Sequence, residues 1–147
     1  MERLLNDQIV QQIKEVFGQL KEPVQILFFE TSQNCETCQD TRQLLEEVVG
    51  LDSKLGLGIH DYDNEKQVAA QFNVTKAPTI VLAARDGDQV TDLGIQFAGI
   101  PAGHEFSTLI NDILMVSGRD SGLGAEAREF LKSLEKPLHL QVFVTPT

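Results

Sequence analysis

The sequence predicts an α/β domain in which a central mixed sheet is flanked by helices, with an extra N-terminal helix and a C-terminal helix-strand appendage. Three observations predict it. Short runs of strand formers at 24–29, 57–62 and 79–85 alternate with stretches of helical periodicity, the pattern of helices packed over a sheet. An Asp-Gly pair at 86–87 marks a hairpin. The chain has 147 residues, 41% hydrophobic and 23% charged, as expected of a folded domain of ordinary size.

Leu5, Ile9, Ile13, Val16, Phe17 and Leu20 recur at helical spacing, with Asn6 or Asp7 available as a cap, so the first twenty residues read as an amphipathic helix. After Pro23, VQILFF is a continuous apolar run, as expected of a strand covered on both faces. From Glu36 the pattern is helical, with Leu44, Leu45, Val48 and Val49 inward and Gly50 closing it. LGIHDY is a second strand, and NEKQVAAQFN at 64–73 a short helix. The strand at 79–85, the Asp-Gly turn, a strand near 90–97 and a helix over 105–117 follow. The first two crossovers read as parallel βαβ units. Residues 1–118 form one domain in this reading. Residues 119–147 supply a Gly-rich linker, a helix and a strand at 138–144.

The formal net charge of −10 argues against nucleic acid or an anionic membrane as partner, since either polyanion would be repelled. The N-terminus lacks the unbroken apolar core of a secretory signal, and no run approaches the roughly 20 apolar residues of a membrane span. A cytoplasmic location is the expectation. In a reducing compartment two cysteines three positions apart make a weak structural staple, which points to a chemical use.

Both cysteines lie in QNCETCQD, at 33–40, where a buried strand gives way to a helix. That context suits redox chemistry. Cys35, at or just before the first helical turn, faces unpaired N–H groups and the positive end of the helix dipole, which stabilise a thiolate. Cys38, one turn on and inward, is the partner that attacks a mixed disulfide and releases the substrate. Glu36 and Thr37 lie between them as modulating positions. The negative charge of Glu36 opposes the helix-terminus effect and points to a moderately to strongly reducing couple. A zinc site would need two further ligands, and His60, His104 and His139 include no closely spaced pair. His60, in mid-strand, reads as a hydrogen-bonded structural residue. DYDNE fails as a calcium loop, because Lys66 and Phe72 stand where glycine and a bidentate glutamate are required; its acids suit a strand end and helix cap.

Pro78 at the head of a strand would cost a ladder hydrogen bond unless it served a bend, and a cis Ala77–Pro78 bond is the expectation. FAGIPAGHEF then supplies glycine where the backbone must pass closely.

With NCETC after an apolar strand, HDYDNEKQVAAQFNVTKAPTIVL and FAGIPAGHEF, the chain resembles a thioredoxin-fold protein. More narrowly, it is similar to the N-terminal unit of glutaredoxin-like protein disulfide oxidoreductases, which carry two such folds in tandem, and to the N-terminal domain of alkyl hydroperoxide reductase flavoprotein subunits. The leading helix and the GIPAG turn favour this narrower group. The resemblance implies thiol–disulfide exchange with protein substrates and no organic cofactor or metal. It makes Cys35 the nucleophile and Cys38 the resolving thiol, with Ala77 and Pro78 shaping the substrate groove. The chain departs from thioredoxin in having no Trp, Asn34 preceding the first cysteine, and Phe29 where thioredoxin buries a carboxylate. Glu30, one residue off that register, reads chiefly as a solvated strand-end glutamate and secondarily as a proton acceptor for Cys38.

Two other functions remain open: a glutathione-dependent glutaredoxin, although its CPYC-like motif is absent, and a docking or electron-relay domain for a peroxiredoxin or a thioredoxin-reductase-like flavoprotein. PLHLQVFVTPT repeats the character of the first strand and is expected to open a second, truncated unit, or to pair with its own sheet or with a second copy in a homodimer.

Overall fold

A computed structural model describes residues 3–145. Helix α1, Asp7–Phe17, is capped by Asn6, whose Oδ1 accepts the N–H of Ile9 at 2.9 Å. It is shorter than the twenty residues expected. Leu5 and Leu20 flank it and are buried nonetheless. Strand β1, Val24–Glu30, is followed by α2, Cys38–Val49, then β2, Leu55–Asp61, and α3, Lys66–Gln71. Strands β3, Thr79–Asp86, and β4, Gln89–Ala98, form the hairpin, with Gly87 at φ +64° in its turn. Helix α4, His104–Gly118, and α5, Ala125–Lys132, complete the elements.

The sheet order is β2-β1-β3-β4, with β1 and β2 parallel and the other two pairings antiparallel. Only the first crossover is therefore a parallel βαβ unit, and the parallel reading of the second is corrected. The six residues of α3 rise about 9 Å, too little to return the chain along a strand of about 23 Å. The chain instead enters β3 at the end where β2 finished. The register puts Glu30 beside Asp61 and Phe29 beside Thr79, so the exits of β1 and β2 and the entrance to β3 share one end of the sheet.

Alternate residues of β1 enter two cores. Val24, Ile26 and Phe28 pack with α1, α2 and α4 on one face, through Ile13, Phe17, Leu45, Val48, Leu109 and Ile113. Leu27 and Phe29 pack with Val81, Ala69 and Val74 on the face that α3 covers. This double cover explains the near-continuous apolar run of β1.

Helix α5 buries none of its side chains. Residues 138–144, expected as a strand, pair with no strand among the described residues, and Leu140, Val142, Phe143 and Val144 are each at least 80% exposed. A strand needs a ladder partner as well as strand-forming residues, and none meets this segment. Its end lies beside the start of α4, where Val144 and Thr145 line a cavity of about 870 Å³ with Ile100, His104 and Glu105.

Candidate redox site

The loop after β1 places the two cysteines at the mouth of α2, joined by a disulfide with Cα atoms 5.5 Å apart. Helix α2 begins at Cys38, two residues later than expected, with Thr37 as the N-cap residue. Cys38 is thus the first helical residue rather than one a turn inside, and its disulfide holds the Cys35 sulfur against the helix start. Cys38 is buried at 7% exposure among Leu44, Leu45 and their neighbours, while Cys35 is only partly covered. Burial of one thiol and access to the other is the asymmetry that a nucleophile and a resolving thiol require. Asn34, just before Cys35, holds a left-handed backbone at φ +52°, which asparagine tolerates better than most residues. Glu36 is exposed and Thr37 half-buried.

The Ala77–Pro78 bond is cis, as expected. Thr79 Oγ1 donates to the carbonyl of Lys76 at 2.9 Å, closing the bend, and the Gly99 N–H donates to the carbonyl of Pro78 at 2.9 Å. Gly99 is at φ +89°, a conformation closed to most side chains, which accounts for glycine at that point of FAGIPAG. Ala77 and Pro78 are partly exposed and lead into Thr79, the partner of Phe29, at the end of the sheet from which the cysteine loop leaves.

Glu30 is a partly exposed strand-end carboxylate that carries an ion pair. Arg42 grips it from α2 with two donors, Nε to Oε2 at 3.1 Å and NH2 to Oε1. The pair lines a cavity of about 330 Å³ with Thr31, Ser32, Gln39 and Asp61 on the flank of the loop. Phe29 is fully buried, and His60 stacks on it at 5.1 Å between ring centroids. His60 Nδ1 lies 2.8 Å from Glu65 Oε2, and Glu65 Oε1 accepts the N–H of Asp61 at 2.8 Å. These bonds, that to His60 foremost, hold the Glu65 carboxyl below its ordinary range. His60 is the hydrogen-bonded structural residue expected. His104 opens α4 and His139 lies in the C-terminal segment. Asp61 ends β2 and accepts from the Asp63 N–H and from Asn64, as the strand-end reading of DYDNE required, whereas Glu65, the N-cap residue of α3, makes no side-chain capping bond.

Two residues that sequence reasoning passed over, Thr31 and Thr41, complete the loop. Thr31 Oγ1 donates to Asp63 Oδ2 at 2.5 Å and accepts the Gln33 N–H at 3.1 Å. At the other end Thr41, fully buried, donates through both its N–H and its hydroxyl to the carbonyl of Thr37, at 2.9 and 2.7 Å. A threonine two residues before a polar residue was the only local sign of the first turn.

No protein-family model matches the chain. It is 34% identical over 127 residues to the alkyl hydroperoxide reductase protein AhpF of Staphylococcus epidermidis, a match covering 78% of this chain and 24% of that protein. AhpF of Pseudomonas aeruginosa is 28% identical over 140 residues, 95% of this chain and 24% of the relative. The chain thus spans about a quarter of the length of the curated relatives it matches. Among solved structures, AhpF of Enterococcus faecalis superposes with a TM-score of 0.78 at 27% identity, over 91% of this chain and 62% of that one. A protein disulfide oxidoreductase from Aeropyrum pernix superposes at 0.75 with 26% identity, over 90% of this chain and 57% of that one.

Proposed function

Because the chain is a thioredoxin-fold unit related to the N-terminal domain of the alkyl hydroperoxide reductase AhpF and to a protein disulfide oxidoreductase, we propose that it exchanges disulfides with protein substrates through Cys35 and Cys38. One observation carries the reading: a Cys35–Cys38 disulfide at a helix start, its second cysteine buried and its first partly exposed.

In the reducing direction the Cys35 thiolate attacks one sulfur of a substrate disulfide. A Cys35–substrate bond forms, the substrate S–S bond breaks, and the departing thiolate takes a proton from solvent. The Cys38 thiolate then attacks the Cys35 sulfur, closing the intramolecular disulfide and expelling the second substrate thiolate. Two electrons pass from the dithiol to the substrate, and the same steps reversed oxidise one. Ala77 and Pro78 supply the backbone along which the substrate segment lies, while Glu36 and Thr37 tune the sulfurs. Equilibration of the pair against glutathione, coupled to insulin reduction, tests the function. A dithiol that does not cycle, or that cycles without reducing insulin under a sufficiently reducing donor, removes it.

The relationship to AhpF favours a second reading, in which the unit relays electrons between a flavoprotein and a peroxiredoxin. Stopped-flow transfer from a reduced flavoprotein through Cys35/Cys38 to a peroxiredoxin disulfide separates the relay from a general reductase. A glutaredoxin role requires turnover of a glutathionylated substrate. Among the described residues no helix is long and apolar enough to cross a membrane. A reducing cytoplasm is the compartment in which this dithiol would be regenerated. We further propose that residues 119–147 serve as a linker, a helix and a segment for pairing with a second unit. Their exposed apolar stretch at 138–144 is assigned to pairing with that unit or with a second copy.

A further inference from the structure

We propose that Asp63 and Thr31 are positioning residues for the redox loop, holding Cys35 within reach of Cys38 and raising the effective concentration of each thiol toward the other. The proposal rests on Cys35/Cys38 being the working dithiol. The loop of residues 31–37 is tied at both ends. Its C-terminal end is fastened by the double donation of Thr41 to the Thr37 carbonyl, within α2. Its N-terminal end is fastened to a different part of the chain: the Thr31 hydroxyl bridges the Asp63 carboxylate and the Gln33 N–H. Asp63 is itself fixed, since its N–H donates to Asp61 Oδ1 at 2.9 Å at the end of β2. The parallel pairing of Glu30 with Asp61 brings these groups together. The tie to the sheet therefore runs from Asp61 through Asp63 and Thr31 to the backbone two residues before Cys35.

A hydrogen bond to a carboxylate is among the stronger ones in proteins, and this one is partly shielded from water. Thiols held near contact close a disulfide more readily than thiols on a slack loop, because the entropy of bringing them together is already lost. Releasing the tie should make the couple more oxidising, the dithiol gaining relative to the disulfide. A contact that merely stabilised the fold would support both redox forms alike and leave their ratio unchanged.

The test equilibrates the full chain with mixtures of glutathione and glutathione disulfide. Dithiol and glutathione disulfide become the Cys35–Cys38 disulfide and two glutathione thiols, two electrons passing to glutathione. Thr31→Val removes the tie without changing charge, Asp63→Asn weakens it with the loss of one, and Thr31→Ser keeps the hydroxyl. Thr31→Val and Asp63→Asn should each lower the equilibrium constant for disulfide formation about three- to tenfold, a part of the strength of one charge-assisted bond, since only the difference between the redox forms is read. The double variant should fall no further than the larger single effect, since both remove the same bond, and Thr31→Ser should match the parent. Unchanged constants in folded variants overturn the proposal. A shift with Asp63→Asn alone also overturns it, because that is the effect of charge and not of the tie. If Thr31→Val does not fold, non-additivity is lost but the comparison of Asp63→Asn with Asp63→Glu, which keeps the charge and displaces the oxygen, decides between the same outcomes. Failure of the parent protein to form a reversible disulfide would remove the functional reading itself, a result distinct from any of these.

Discussion

Arg42 closes a two-pronged ion pair on Glu30 one helical turn beyond Cys38, joining α2 to the exit of β1. The side chains remain 42% and 26% exposed, so solvent screens the pair, although its fork geometry is the favourable kind. Arg42→Ala and Glu30→Gln are each expected to cost about 1 kcal/mol or less in chemical denaturation, with most of that loss shared in the double variant. With its carboxylate engaged by the guanidinium, Glu30 serves as a strut. Glu30→Gln should therefore leave the rate at which Cys38 resolves a mixed disulfide unchanged, and a large fall in that rate would restore Glu30 as the proton acceptor.

Cys38 is buried at the edge of the main core, whereas Cys35 is only partly covered. Alkylation of the reduced protein under native conditions should modify Cys35 first, read by peptide mass mapping. Cys38→Ser should accumulate a mixed disulfide through Cys35, because the attack that releases substrate is lost, and Cys35→Ser should form none. First labelling at Cys38 would reverse the assignment.

Glu36 is exposed between the two cysteines. Its charge disfavours a neighbouring thiolate, so Glu36→Gln should lower the Cys35 pKa in a thiolate absorbance titration. Exposure makes the effect small and sensitive to salt, and the difference from the parent should shrink as ionic strength rises. A higher pKa in the variant would contradict this account.

Glu47 on α2 anchors the N-terminal segment by accepting the N–H groups of Leu4 and Leu5, both at 2.9 Å, and the amide of Gln43. Burial alone would raise its carboxyl pKa, but the bonds from Gln43, Leu4 and Leu5 and the charge of Arg3 outweigh it and hold the group below its ordinary value. A carboxyl whose folded pKa is depressed contributes stability above its unfolded pKa and loses it as pH falls through the folded one. Glu47→Gln should reduce stability at neutral pH and flatten the acid side of the stability curve around and below about pH 4.5, where an ordinary glutamate is half protonated. Parallel pH profiles of parent and variant would contradict the linkage.

What could be read from the chain depended on whether the cause was local. VQILFF revealed β1 because burial on both faces leaves a compositional trace, and CETC announced its chemistry through its place at a strand-to-helix junction. Pro78 revealed the bend because a strand has no use for it otherwise. The direction of β3 left no such trace, since periodicity reports which residues face a core and not which way the strand runs. Periodicity starts α2 at Glu36 because it is blind to caps, whereas the backbone becomes helical only after Thr37. Arg42–Glu30 and Thr31–Asp63 lie 12 and 32 residues apart and exist only once the strands have paired, so neither could be seen in one dimension.

Residues 138–144 carry the final prediction. In an extended chain Leu138, Leu140, Val142 and Val144 would share one face, and they are 60%, 80%, 84% and 82% exposed. An apolar segment so exposed, its backbone paired with no strand among the described residues, is a template for adding a strand to a sheet edge. Strands β2 and β4 are the two edges of the sheet and can receive it from a second molecule. Sedimentation velocity should show concentration-dependent dimerisation of the parent protein. Val142→Lys, which places a charge in the middle of the apolar face, should weaken the dimer while leaving the glutathione equilibrium of Cys35/Cys38 unaltered, because the segment contributes nothing to the cysteine loop. A parent protein that stays monomeric across the concentration range would remove pairing between copies. If hydrogen exchange then shows slow amides at 138–144, the segment has folded back onto its own sheet, and rapid exchange there would remove that alternative as well.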